Sequence, residues 1–183
     1  MKKLLILFVI AELMISCNRQ NSNYKYSDAE TEQFLYEVIK NAKASITDIT
    51  EIDRKPADKF GIITRHTLSK IEVDEYNNNN GTIVNKEDNI YDFAVYKVKD
   101  YELKNEKNEL LKFVDTGNSK TLNGLPLGEH NNVLYRNLGI LFNLDKKFEK
   151  LNGFINIGFE MPNGMKKDVK IPINISINDS VVE

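Results

Sequence analysis

The chain reads as a mainly β protein: an antiparallel sandwich or a strongly curved sheet, with one N-terminal amphipathic helix packed on it. Three observations predict this class. Val169, Ile171, Ile173, Ile175 and Ile177 alternate with Lys170, Pro172, Asn174 and Ser176, the period of a strand with one buried and one wet face. Ile155, Ile157, Phe159 and Met161 share a face in the same way, and Pro162, Asn163 and Gly164 supply a turn between the two runs. Only one stripe has clear helical spacing, that of Phe34, Leu35, Val38, Ile39 and Ala42.

Ser27 opens that helix. With Glu30 it forms a capping box: the serine oxygen accepts from a free backbone N–H and the glutamate reaches back. The opposite face mixes Glu30 and Glu37 with Lys40 and Lys43, which favours packing on the domain's own sheet over lying on a membrane. From Ile46 the period changes to two. Residues 60–73 predict one long strand or two joined at a bend, with His66 half out in solvent beside Arg65 and Thr67. Four asparagines and Gly81 over residues 77–81 tolerate positive φ and predict a hairpin tip.

Residues 90–103 are apolar on both faces near their middle, as in a central strand. At strand offsets Tyr91, Phe93 and Tyr101 share one face and Tyr96 takes the other. Core packing with some hydroxyls reaching water is favoured there over a platform for sugars or bases. The charged link 104–109 reads equally as a loop or a short helix, and the apolar run 110–114 follows it. Pro172 has no N–H to give a ladder, so the last strand, or its N–H side, belongs at a sheet edge. No internal repeat or second domain boundary is visible.

The chain has 183 residues, with 25 Lys and Arg against 27 Asp and Glu. That length suits one domain able to bury ~70% of its unfolded surface. The near balance of charge, without a basic stripe, argues against nucleic acid as a partner.

Residues 1–16 have a layout of their own. Lys2 and Lys3 are followed by an apolar run over 4–11, then by Leu13, Met14, Ile15 and Ser16, up to the single cysteine, Cys17. Charged, apolar and small-residue regions in this order make a signal peptide. A membrane span needs ~20 apolar residues, more than this run offers. Ile15, Ser16 and Cys17 resemble the lipobox of bacterial lipoproteins. The resemblance implies a diacylglyceryl group on Cys17, cleavage before it, and acylation of the new amino terminus. Two or more acyl chains, at ~0.8 kcal/mol per buried methylene, hold a protein stably to a membrane.

With Cys17 as the lipid attachment residue, no thiol remains for a disulfide, a metal site or a nucleophile. The organisation expected is a signal peptide at 1–16, a lipid-anchored tether at 17–26 and a single helix-plus-β domain at 27–183. The resemblance also implies a bacterial cell-envelope location. Asn18 stands where an Asp would direct retention in the inner membrane, which favours the outer one.

Chemistry is thinly signalled. No Gly-x-Ser-x-Gly elbow, His-Glu-x-x-His helix or phosphate-cradling glycine loop occurs, and no catalytic, cofactor or metal site is predicted. Of the two histidines, His130 lies beside Glu129 in a stretch, 128–132, that reads as a loop. Asn78, Asn80, Gly81 and Glu87 fit positions three, five, six and twelve of a calcium loop, with Ile83 at the eighth. Tyr76 stands at the first position and offers no carboxylate.

The function expected is therefore a membrane-anchored, non-catalytic binding module for another protein in the envelope. The edge over residues 169–177 can add a partner's strand, or Pro172 and Lys170 can serve to prevent that. The alternatives are an envelope hydrolase or transferase with dispersed residues such as Glu129 and His130, and a structural subunit of an envelope assembly. Asn174-Ile175-Ser176 and Asn178-Asp179-Ser180 match the glycosylation pattern, which a bacterial setting leaves idle.

Overall fold

A computed structural model describes residues 23–46, 57–83, 89–114 and 120–177. Ser27 caps helix α1, Asp28–Asn41, through the expected box with Glu30. The helix buries Phe34, Leu35 and Val38, and its last turn leads into β1, Lys43–Ser45. Seven more strands follow: β2 (Ala57–Thr67), β3 (Val95–Asn105), β4 (Lys120–Thr121), β5 (Asn123–His130), β6 (Val133–Phe148), β7 (Lys150–Glu160) and β8 (Lys166–Ser176). They form two antiparallel sheets of order β1-β2-β6-β5 and β4-β3-β7-β8. The sheets pack together as a sandwich with α1 against them.

The core lies between them. On β2 and β6, Phe60 stands opposite Phe142, Ile62 opposite Ile140, Thr64 opposite Leu138 and His66 opposite Arg136, all on the inner face. The second sheet contributes Leu151, Ile155, Ile157 and Phe159 from β7, and Ile171, Ile173 and Ile175 from β8. Phe113 joins the two layers, stacking on Phe60 and Phe142 and touching Tyr101.

The C-terminal hairpin forms as its alternation predicts. Gly164, at φ 86, closes the turn, and the Met161 N–H donates to the Met165 carbonyl at 2.9 Å. β8 is an edge strand, as Pro172 requires, and β1 lies alongside part of it. Gly153 permits close approach of β3 and β7: its φ is 139°, and a Cβ there would stand 1.8 Å from the Glu102 carbonyl oxygen.

Between β2 and β3 the chain departs from expectation. The strand expected to reach Val73 ends at Thr67, because Ser69 and Glu72 form a second capping box that starts α2, Lys70–Asn78. Residues 77–81 then end a helix and are not a hairpin tip. Asn80 takes φ 51, and the Gly81 N–H donates to the Tyr76 carbonyl, the pattern of a Schellman cap.

Tyr91 and Phe93 lie on a 3-10 turn, Ile90–Phe93, and not on a strand. In β3, Val98 stands opposite Ile157 and Asp100 opposite Asn156, so Lys99 is an extra, bulged residue. The bulge resets the alternation: Tyr96 and Tyr101, expected on opposite faces, both point inward with Leu103. The link 104–109 is a tight turn, not a helix. The buried Asn105 organises it, its Oδ1 accepting from the N–H groups of Lys107 and Glu109 at 3.0 Å each. Of the stretch read as a tether, Tyr24 rests edge-on against Phe93, and Tyr26 packs beside it.

Candidate functional site

Arg65 and Ile63 leave β2 on the side opposite Phe60, Ile62 and Thr64, and so face outward from the first sheet. On that side the sheet is walled at both edges. At the β5 edge, Gly124 pairs with Leu138 and Leu127 with Arg136, leaving Leu125 and Pro126 as a two-residue bulge opposite Asn137. Pro126 suits a bulge because it has no N–H to leave unpaired. Asn137 Nδ2 pins the bulge by donating to the Pro126 carbonyl at 2.8 Å. Gly139 lets Leu125 drop onto the sheet: a Cβ there would meet Leu125 Cδ1 at 3.1 Å.

At the other edge stand the last turn of α1 and the start of β1. Asn41 Nδ2 ties that corner to β2 by donating to the Arg65 carbonyl at 3.1 Å. The walls and floor enclose a half-open hollow of about 670 Å³.

Its lining is one-sided in charge. Among the described residues it takes three cations, Lys40, Lys43 and Arg65, and no carboxylate, while Ala42, Ile63, Leu125 and Pro126 give an apolar floor. The Arg65 guanidinium lies 4.5 Å from the centre of the Tyr135 ring, and Lys40 Nζ lies 5.5 Å from that of Tyr36. Glu37, one turn back on α1, is already engaged by the Thr67 N–H at 2.6 Å.

A second surface lies where α2 meets the β5–β6 hairpin. α2 buries none of its residues, and Ile71 is 72% exposed. Its own cap holds it, with an ion pair from Glu72 to Arg136 at 3.7 Å. Val73, Tyr76, Val133 and Leu134, with Thr67, Glu129 and two asparagines, line a shallow hollow of about 300 Å³.

Beneath α2 the core ends in polar groups. His66 is only 6% exposed, not half out in solvent as its place in an alternating strand suggested. Its Nδ1 donates to the Thr67 carbonyl at 3.0 Å, and its ring sits edge-on to Phe34 and 6.1 Å from Tyr91. His66 Nε2 and Arg136 Nε are buried without a hydrogen-bond partner among the described residues. Burial pushes the His66 pKa down; Glu72 and Glu37 oppose this and Arg136 adds to it. Tyr26 nearby is pushed up to about 12 by burial, with Glu72, Asp92, Glu30 and Tyr24 adding to the effect. The enclosure of His66 by Phe34 and Tyr91 disfavours its charged form.

The other predicted residues fall as follows. Cys17 and Glu87 lie outside the described residues. Tyr76, at the first position of the calcium pattern, sits in α2 with its ring against Gly81. Among the described residues no group of three or more His, Cys, Asp or Glu is placed to hold a metal. The stretch read as a loop, 128–132, holds a two-residue hairpin turn, with Asn131 at φ 52 and Asn132 at φ 61. Glu129 and His130 end β5, where neighbours project to opposite faces, and Glu129 alone of the two lines the shallow hollow.

The basic hollow has no signature in any single stretch of the sequence. At helical spacing Lys40 and Lys43 share a face with Glu30 and Glu37, and the one local mark of the β5 bulge is Pro126, set between Leu125 and Leu127. Fold and sites together define a two-sheet β-sandwich with one basic hollow on an outer face and a partly unused helix at one end. Comparison with protein-family models, with curated proteins and with solved structures returned no match. Among the described residues, no helix is long and apolar enough to cross a membrane.

Proposed function

We propose that the chain is a lipid-anchored lipoprotein of the bacterial cell envelope, attached through Cys17, whose domain is a non-catalytic binding module for another protein. The observation that carries the binding role is α2. A nine-residue helix is too short to persist by its own propensity, yet none of the residues of this one is fully buried: Ile71 faces solvent, and Val73 and Tyr76 are only half-buried. Beside it Val133 is 37% exposed at the hairpin tip, and the shallow hollow between them has a polar rim. An apolar centre with tyrosine and a polar rim is the composition of a protein interface. The β8 edge is the weaker candidate, since β1 lies alongside part of it and Pro172 has no N–H to give an added strand.

The test is capture from envelope extract with the full lipoprotein and with an Ile71→Asp/Val133→Asp variant, at low and moderate salt. One protein retained at near-fixed ratio by the parent and lost by the variant supports the reading. Identical retention by both overturns it. Metabolic labelling with a fatty acid tests the anchor: the parent takes up label and Cys17→Ala does not.

A further inference from the structure

We propose that the hollow on the outer face of the first sheet binds a phosphate ester carried on an apolar body. The argument begins with charge. The chain as a whole is formally at −2, so local positive charge does not follow from composition. Lys99, Lys104, Lys146 and Lys166 each have a carboxylate within 4.0 Å. Lys40, Lys43 and Arg65 converge on one hollow from α1, β1 and β2, and among the described residues no carboxylate lines it.

Geometry narrows the ligand. Arg65 has one face against Tyr135, which holds the guanidinium and leaves its N–H edge for a bidentate acceptor. A phosphate monoester has up to two charges and three free oxygens, enough to meet an arginine fork and lysine ammonium groups together. A carboxylate has one charge and two oxygens and leaves cations unmatched. The partial negative charge at the C-terminal end of α1 repels an anion close to Asn41. The phosphate therefore sits toward Lys43 and Arg65, with Lys40 at the rim.

The floor supplies the other half. Ala42, Leu125 and Pro126 keep apolar surface open to water above the buried Ile63, and a bare anion leaves that surface wetted. An ester whose body covers them removes that surface from water. The volume, about 670 Å³, is that of a small-molecule site. None of these residues lines the shallow hollow beside α2, so the inference stands apart from the protein partner proposed above.

The experiment is calorimetric titration of the full chain in phosphatidylcholine nanodiscs with phenyl phosphate, inorganic phosphate and phenol. Phenyl phosphate is expected to saturate at one site, about tenfold more tightly than inorganic phosphate, and phenol not to saturate. Lys43→Gln and Arg65→Gln should each weaken phenyl phosphate about tenfold, the effect of one charge-assisted contact. Lys99→Gln, on the other sheet, should leave it unchanged. Lys43 is exposed, so its variant reports on the site even where Arg65→Gln disturbs folding.

Absence of saturation, or parent-like affinity in the Lys43→Gln variant, overturns the site. Equal affinity for inorganic and phenyl phosphate overturns the apolar body. Replacing part of the phosphatidylcholine with phosphatidic acid, whose headgroup is a phosphate monoester, separates the sources. Loss of phenyl phosphate affinity identifies a lipid headgroup as the occupant, and unchanged affinity identifies a soluble ester.

Discussion

On the outer face of β3, β7 and β8, Lys99 reaches across Gly158 to Asp168 at 2.6 Å, Lys166 meets Glu160 at 3.0 Å, and Lys170 lies over the Phe154 ring. On the outer face of the first sheet, Arg65 lies over an aromatic ring, and among the described residues no carboxylate lines the hollow it shares with Lys43. The inner faces differ too. β7 and β8 present unbroken apolar rows, while β2 and β6 end in Thr64, His66 and Arg136. The second sheet pairs several of its outer charges within itself, as a scaffold would. The first leaves cations outside and polar groups inside, the arrangement expected of a sheet that meets ligands.

The comparison is broken most severely in the scaffold. Gly153→Val drives a side chain into the Glu102 carbonyl, where backbone and not a flexible side chain stands in the way. The expected loss is more than about 3 kcal/mol, read as a fall in the urea midpoint. A variant as stable as the parent would mean that β3 and β7 can separate here without penalty.

Next in size is Thr64→Val in the first sheet. Thr64 Oγ1 donates to the Val38 carbonyl near the end of α1, and valine keeps the shape while leaving that carbonyl unpaired. The expected cost is about 1–3 kcal/mol. Faster amide exchange in the last turn of α1 than elsewhere would place the loss in the helix–sheet joint.

His66 sharpens the contrast through pH. Burial lowers its pKa, so the unfolded chain binds a proton that the folded one refuses. Its contribution is fully present above the ordinary value of 6.5 and is lost as pH falls through the lower, folded value. His66→Phe should flatten the dependence of the melting midpoint on pH below 6.5. The lowered Glu30 acts only in a more acidic range, because its ordinary value is 4.5. An unchanged slope in the variant would assign the dependence to carboxylates.

The same division separates what the sequence made legible from what it did not. In β7 and β8 the alternation over 155–161 and 169–177, with Pro162, Asn163 and Gly164 between, makes the hairpin and its edge position legible locally. The Ser69 and Glu72 box has the same signature as that of Ser27 and Glu30, but alternation running from Phe60 into Val73 masked it. The bulge at Lys99 has no local mark, yet it inverts the facing of every residue before it. The basic hollow is assembled by topology from α1, β1, β2, β5 and β6, so no stretch of sequence contains it. Edges and periods are local facts, whereas a site drawn from five elements is not.

The smallest effect tests how self-contained the scaffold face is. Lys99 and Asp168 are about half exposed, so Lys99→Ala should cost no more than about 1 kcal/mol, and less at high salt. Gly158 beneath the pair makes the test sharper. A Cβ on Gly158 would stand 2.5 Å from Lys99 Cε and 2.9 Å from Asp168 Oδ1. Gly158→Ala alone must push the lysine aside and break the pair, whereas in the Lys99→Ala background the nearer obstruction is gone. The two substitutions together should therefore destabilise less than the sum of each alone, by a few tenths of a kcal/mol or more in denaturant titrations. Strict additivity would mean that the lysine already spends its time away from Asp168. The outer face of the second sheet would then be no more self-neutralised than that of the first.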